Sequence, residues 1–374
     1  MYLKNSLLSG PDGPYLAIED HCSRQYKLTL IQDDESGFYV SAQSYNGEEC
    51  TFRCVVDNQD NDSFSVSLNP FAHPHINPGM SEAPDKIFVL SDIEGNFNAL
   101  YSLLVAHHIM DKNFNWIFGK NALVVLGDVM DRGENVTQCL WLIYRLEELA
   151  AKQGGSVHFI LGNHELMNQE SDLRFRHKKY AALEQLVTEI EDEVEAHNEF
   201  YAHNNFLLGW ILNKNTMERI GNTLFVHGGV SPELLEGRIS IPRINSHVRH
   251  HLKGQRVEPE LMNLLIGSYG PLWYRGMAAD HGTYSKVSES VVDQVLDFYS
   301  SDRLVIGHSV TVQVKEDYHG KVIRTDVLHS RAKFSELTQG VMIEGEKVYR
   351  AYGNGTRELL VAERPVVIRE NEPA

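Results

Sequence analysis

A chain of 374 residues is long enough to bury a large core, enough for one main domain and a smaller one. Its formal net charge of −17 excludes a nucleic-acid partner, which needs a basic face, and a polyanionic substrate requires a local cationic site. The four cysteines, Cys22, Cys50, Cys54 and Cys139, lack the CxxC spacing of a structural zinc site.

The opening MYLKNSLLSG has no long apolar run, and no later segment approaches the roughly 18 to 20 apolar residues of a membrane span. A soluble, cytoplasmic chain with no membrane partner is therefore expected. Residues 1–80 alternate in short stretches, KLTLI, GFYVSAQ, TFRCVV and SFSVSL, which predicts a small β-rich accessory domain. The even spacing of Cys50 and Cys54 puts both on one face of a strand, as buried thiols. Residues 69–85, rich in Pro and Asn and without a period, read as a linker, and His73 and His75 within it as non-functional.

From Lys86 the order is strand, helix, strand, helix, strand: KIFVLS, residues 96–108, ALVVL, residues 136–152, SVHFIL. That alternation predicts a mostly parallel sheet with crossover helices. His107 and His108 fall at a helix end, where partial positive charge is favourable. Leu183, Leu186, Val187, Ile190 and Val194 share helical spacing, predicting one long helix over roughly residues 176–206 as a wall of the site. VSESVVDQVLDFYSS predicts an amphipathic helix before RLVIGH. KVIRTDVL, GVMIEG and KVYRAYG then return to β, with a hairpin turn at residues 345–347.

Five blocks, SDIEGN, LGDVMDRG, LGNHE, VHGG and IGH, each follow an apolar run (IFVL, ALVVL, VHFIL, TLFV, RLVI). Their polar residues should gather at the carboxyl ends of adjacent strands, where α/β sheets place their chemistry. Asp92 and Glu94 aim into one pocket, and Asp128 after the next strand can bridge two cations ~3.5 to 4 Å apart. Asn163, His227 and His308 add an amide oxygen and two imidazoles. The expected metal ligands are thus Asp92, Glu94 and Asp128 at one site, and Asp128, Asn163, His227 and His308 at the other. Gly228 and Gly229 are expected to let the backbone approach the metal at His227.

This order of blocks, with GDVMDRG and GNHE, resembles the metallophosphoesterase superfamily and its PPP-type protein phosphatases. GNHELMNQESDLRF and PLWYRG resemble the Shewanella-like branch of bacterial and plastid phosphatases. The resemblance covers roughly residues 86–326, and the first 80 residues contribute nothing to it. It implies an α/β fold, the calcineurin-like four-layer sandwich of two β-sheets flanked by helices, in a catalytic domain over residues 86–365. It also implies that His164 is the general acid, that Asp131 orients its imidazole, and that Arg132 grips the phosphate with its planar fork. Arg132 could instead pair with Asp131. Arg275 is either a second phosphate clamp or a cover for Trp273 by cation–π contact, and Arg174 is read as a salt-bridge partner.

A phosphate monoester dianion is a poor electrophile, so a site must neutralise its charge, hold a nucleophile in line and protonate the leaving oxygen. Two metals with a bridging hydroxide, one Arg and one His meet these needs. Where the family reads Asp-x-His, this chain reads Asp92-Ile93-Glu94. A site of three carboxylates and no nitrogen favours Mn, Mg, Ca or ferric iron over zinc. The expected cofactors are two divalent ions, Mn first, with Fe, Zn or Mg as alternatives. Three functions stay open: a phosphomonoesterase acting on phosphoprotein, with phosphotyrosine ahead of phosphoserine or phosphothreonine; hydrolysis of a small diester or dinucleoside polyphosphate; and a phosphate-binding scaffold with a weakened site. Phe175, Phe206, Trp273 and Tyr274 are expected to wall the pocket and select the leaving group.

Overall fold

In the computed structural model, which describes residues 11–34, 37–72, 76–201 and 205–369, the alternating N-terminal stretches form strands. His73 and His75 lie outside the described residues. β1 (Asp12–Asp20), β2 (Gln25–Asp34) and β3 (Gly37–Asn46) make an antiparallel meander, and β4 (Cys50–Val55) pairs with β5 (Ser63–Leu68) as a hairpin. Phe64, Val66 and Leu68 of β5 are buried while Ser65 and Ser67 are exposed, the period of two that made this strand legible. β1 lies almost wholly buried, so it has no alternation to read. Cys50 and Cys54 are free and buried on β4.

Met80–Ser81, inside the expected linker, forms a short edge strand, β6, which pairs in parallel with residues 219–220. Two residues are too few to leave a period in the sequence. β7 (Lys86–Leu90), α1 (Phe97–Ala106), β8 (Ala122–Val125), α2 (Val136–Lys152) and β9 (Ser156–Phe159) then follow as alternation predicts, with the three strands parallel. His107 ends α1 without bringing positive charge to it. It is buried, it donates from Nε2 to the Tyr352 carbonyl at 2.8 Å, and burial pushes its pKa down.

α3 (Asn163–Gln169) is followed by two helices where one was expected, α4 (Lys178–Thr188) and α5 (Glu193–Phe200), and α6 (Phe206–Ile211) begins where that span ends. Glu189 turns left-handed at φ 60°, and Asp192 caps the next helix by accepting from the Val194 and Glu195 N–H groups. Leu183 and Leu186 face the core, but Val194 is 47% exposed. The helical spacing was therefore real only as far as Thr188. β10 (Met217–Ile220), β11 (Thr223–Val226), α7 (Pro232–Glu236), α8 (Ile241–Leu252), α9 (Pro259–Ile266), α10 (Glu289–Phe298), β12 (Arg303–Ile306), β13 (Lys315–Asp317), β14 (Val322–Arg324), β15 (Gln339–Glu344), β16 (Lys347–Tyr352) and β17 (Arg357–Val361) complete the chain. Gly345 and Glu346 make the β15–β16 turn, with Gly345 at φ 59°.

Two mixed sheets result, in the orders β17-β16-β15-β7-β8-β9 and β13-β14-β12-β11-β10-β6. Val89, Val124, Leu126, Phe225, Val305, Ile323 and Val341 form the dry layer between them, and helices flank the pair, α2 on β9 and α8 on β10. Among the described residues no helix is long and apolar enough to cross a membrane.

The N-terminal strands rest on α1 and α2. Phe52 meets Trp141 edge-on at 4.8 Å, Phe64 stacks on Phe97 at 6.2 Å, and the Trp141 indole donates to the Pro14 carbonyl at 2.8 Å. A buried ion pair fastens the junction: Lys179 Nζ lies 2.5 Å from Asp12, with both side chains 0% exposed, and donates to the Glu134 carbonyl at 2.8 Å. Breaking such a pair strands a buried charge, so Lys179→Met should cost about 3–5 kcal/mol in urea unfolding. The double variant Asp12→Leu/Lys179→Met should recover most of that loss. A double variant no more stable than the single one would show that the two charges do not act as a pair.

Candidate metal centre

The second and third blocks cross before they reach any metal. A Cβ on Gly127, which sits at φ 79°, would lie 2.5 Å from the Gly162 nitrogen, and one on Gly162 would lie 2.5 Å from the Asp128 nitrogen. Only glycine permits that approach. Glu165 ties the crossing: its buried carboxylate accepts from the N–H groups of Asp128 (2.9 Å), Val129 (2.9 Å), Met130 (3.2 Å) and Gly162 (2.8 Å). The first block is laid along the second, with Asp92 N–H bonded to the Gly127 carbonyl at 3.0 Å and Glu94 N–H to the Asp128 carbonyl at 2.9 Å.

Six site residues take left-handed backbone: Asp92 (φ 53°), Glu94 (48°), Asp128 (52°), Asp131 (70°), Arg132 (53°) and His308 (60°). Each such conformation costs of order 1–3 kcal/mol at a non-glycine residue and persists only where its surroundings impose it.

Asp128 lies among imidazoles, its Oδ2 3.1 Å from His227 Nε2 and 3.8 Å from His164 Nε2. His227 donates from Nδ1 to the Leu126 carbonyl at 2.7 Å, which turns its Nε2 to Asp128 and to Asn163 Oδ1 at 3.2 Å. His308 donates from Nε2 to the Trp273 carbonyl at 3.0 Å, leaving Nδ1 for the centre. A carbonyl on the far nitrogen is how a ligating imidazole is usually held. Donor atoms of Asp128, His227 and His308 lie within 4.8 Å of one another, as do those of Glu94, Asp128 and His164. Asp92 belongs to neither trio; its Oδ2 accepts the His308 N–H at 3.3 Å.

The electrostatics call for a cation. Burial, then Asp326 and Asp128, push Asp92 well above the usual carboxylate range. Burial and Asp128 push Asp326 up to about 6. Burial works against charge on His227, yet Asp128 and Asp92 raise it to about 10. Burial also opposes ionisation of Asp128, but His227 and His164 hold it below its ordinary value. Carboxylates, an amide oxygen and two oriented imidazoles in one buried cluster are a donor set that fits hard to borderline divalent ions.

His164 sits beside this cluster, with Nδ1 2.6 Å from Asp131 Oδ2. Burial pushes its pKa down, but Asp128 and Asp131 carry it above the ordinary value. Arg132 pairs with Glu94, not with the adjacent Asp131, and its guanidinium lies 5.0 Å from the centre of the Phe175 ring. Arg275 donates to the His308 carbonyl and makes no cation–π contact among the described residues. Arg174 pairs with Asp172 at 2.6 Å.

None of the four expected pocket walls borders the cleft that opens beside Arg132: Phe175 is 41% exposed with its ring 5.3 Å from that of His164, and Trp273 meets His308 edge-on at 5.9 Å. Tyr274 is instead buried against Tyr284, and Phe206 stacks on Trp141 at 5.8 Å because it opens a helix packed on α2. Gly228 serves a loop closure: its N–H donates to the Pro271 carbonyl at 2.7 Å, and a Cβ there would meet the 271–273 backbone at 2.9 Å. A cleft of about 580 Å³ opens beside Asp92, Glu94, Arg132 and Asp326, and Asp57 and Asp60 beyond β4 line its far side.

Three site residues escaped sequence reasoning. Glu165 stands three after Gly162, the spacing of a capping box. Asn168 stands four after His164 on α3, so the two share a helix face. Asp326 ends the run KVIRTD, and the strand-end argument that found the other blocks would have found it too.

Residues 85–312 match the calcineurin-like phosphoesterase family. Shewanella-like protein phosphatase 1 of Plasmodium berghei is 28% identical over 233 residues, 60% of this chain and 61% of that protein. Shewanella-like protein phosphatase 2 of Arabidopsis thaliana is 23% identical over 287 residues, 66% of this chain and 72% of its own length. The chain thus spans 61% and 72% of these two relatives. The crystal structure of a cold-active protein-tyrosine phosphatase from a psychrophilic Shewanella species superposes with a TM-score of 0.78 at 27% identity, covering 94% of this chain and 100% of that one. That share cannot be supplied by residues 81–374 alone, so the likeness reaches into the N-terminal strands, beyond the 86–326 span expected. Shape records packed strands whose sequence carries no motif.

Chelator-treated protein titrated with Mn²⁺ should gain thermal stability, by about 2.7 kcal/mol when the ion is at a hundred times its Kd. Asp128→Asn should abolish most of that gain, because one carboxylate serves both trios. A full gain in Asp128→Asn, read by calorimetry, would rule out the shared role.

Proposed function

The chain belongs to the calcineurin-like phosphoesterase family, and on that premise we propose that it is a metal-dependent phosphomonoesterase acting on phosphoprotein, with phosphotyrosine preferred. The observation that carries this reading is the His164–Asp131 pair at 2.6 Å, set between the carboxylate cluster and Arg132. Residues 86–365 are the catalytic unit in this reading. Residues 1–80 are an accessory unit that walls the cleft with Asp57 and Asp60. The buried free thiols Cys50, Cys54 and Cys139 suit a reducing compartment, the cytoplasm.

Asp92, Glu94, Asp128, Asn163, His227 and His308 would hold two divalent ions, with manganese favoured by the excess of oxygen donors. Bound there, the ions supply charge neutralisation and a water of lowered pKa. The chain's own groups do the rest. Arg132 exchanges Glu94 for two phosphoryl oxygens, and Arg275, held on the His308 carbonyl, is the second clamp. His164 delivers the proton from Nε2 to the departing oxygen while Asp131 holds Nδ1 and stabilises the charged ring. Phe175, an exposed ring touching both Arg132 and His164, offers a face to an aryl leaving group, which supports phosphotyrosine. A protein-tyrosine phosphatase of similar shape supports the same choice.

The test is turnover by Mn-loaded protein of a phosphotyrosine peptide, a phosphoserine peptide, an aryl phosphate and a diester. A diester turned over faster than all three monoesters would overturn the reading. His164→Ala should lower kcat on phenyl phosphate by about 10²–10⁴-fold and on 4-nitrophenyl phosphate by much less, since a low-pKa phenolate leaves without help. Phe175→Ala should raise KM for the phosphotyrosine peptide several-fold and leave the phosphoserine peptide within about two-fold.

A further inference from the structure

The carboxylate that orients His164 is itself held from outside the metal centre. Asn168, one helical turn further along α3, donates from Nδ2 to Asp131 Oδ1 at 3.0 Å and to the His164 carbonyl at 2.9 Å. The Asn168 carbonyl accepts from His197 Nε2 at 2.9 Å, and Nδ1 of His197 faces the two Glu184 oxygens at 3.2 and 3.3 Å. Glu184 pairs with Arg176, which also pairs with the exposed Glu193 at 2.7 Å. A second tie joins the same segments, from the Ser171 hydroxyl to Asn198 Oδ1 at 2.6 Å. Asn168, His197 and Glu184 are 9%, 1% and 1% exposed, so water cannot stand in for a lost partner. None of the three lines the cleft.

We propose that Asn168 and His197 are positioning residues for the proton donor, an inference that rests on His164 acting as the acid. Asp131 spends one oxygen on the imidazole and the other on Asn168. With Oδ1 released, the carboxylate turns freely about its Cβ–Cγ bond and Nδ1 loses its fixed direction. Nε2 then no longer points at the leaving oxygen. His197 fixes α3 at Asn168, so the α4–α5 pair sets the aim of a side chain it never touches.

In Mn-loaded protein, Asn168→Ala should lower kcat on phenyl phosphate about 10- to 100-fold, the usual effect of an outer partner of a site residue. On 4-nitrophenyl phosphate the loss should be several times smaller, with KM within about two-fold for both esters. Independently of turnover, the downfield Nδ1–H proton of His164, assigned by its loss in His164→Gln, should broaden or move upfield in metal-free Asn168→Ala. His197→Gln keeps an N–H for the Asn168 carbonyl and should stay nearer wild type than His197→Leu. Where Asn168→Ala does not fold, Asn168→Ser takes its place with the same expectation. An equal loss on both esters, an unchanged proton signal, or the reverse order of the His197 variants overturns the proposal. If His164→Ala also loses equally on both esters, the acid assignment itself has failed. If His164→Ala discriminates and Asn168→Ala does not, only the positioning role has.

Discussion

One buried carboxylate fixes the geometry of the centre. Glu165 collects four backbone N–H groups, three from the loop after β8 and one from the turn after β9. Hydrogen bonds to a charged group contribute roughly 1.5–3 kcal/mol each, so the set is comparable to the strain of the left-handed residues around it. Without Glu165 those donors would be buried and unpaired, and the crossing at Gly127 and Gly162 would have nothing to close it. Asp128, Asn163 and His164 take their places because the two loops cannot slide past each other.

The sandwich supplies the second half of the constraint. β7, β8 and β9 are parallel, as are β11, β12 and β14, so six loops leave their sheets at carboxyl ends. The dry layer of Val89, Val124, Leu126, Phe225 and Val305 sets how closely those loops meet. That layer brings His227 to Asp128, and the PLWYRG loop brings the Trp273 carbonyl to His308. Each imidazole therefore has one nitrogen occupied by a carbonyl and one free for the carboxylates. Tautomer and direction are decided by packing before any ion binds.

Legibility in the sequence followed burial. β7, β8, β9, β11 and β12 are buried on both faces and short, and they read as continuous apolar runs because a turn-forming block closes each one. β1 is buried along most of its length, but no such block follows it and its sequence carries no strand signal. The helical period after Arg176 was seen, but neither the left-handed Glu189 nor the Asp192 cap leaves a mark on apolar spacing. At the site, ligand types could be read because strand ends are predictable. Of the partners, the resemblance supplied only Asp131 for His164, because the Glu94–Arg132 and Asp131–Asn168 contacts depend on where loops cross. Asp326 was legible in principle, since it ends an apolar run as Asp128 does.

Glu94 is where these threads meet. It replaces an imidazole with a carboxylate, and that carboxylate lies within reach of Asp128 and His164 while pairing with Arg132. The centre already holds Asp92, Asp128 and Asp326, so one more anion would be unfavourable unless a cation accompanied it. Arg132 is that cation. In the proposed reaction the phosphoryl group takes the place of Glu94 on the guanidinium, exchanging one anion for another, so Arg132 is never left uncompensated. In that proposal the displaced carboxylate would need a positive partner of its own, and an ion held between Glu94 and Asp128 would supply it. On the proposed reading, Glu94 would therefore couple the arginine clamp to metal occupancy through a single side chain.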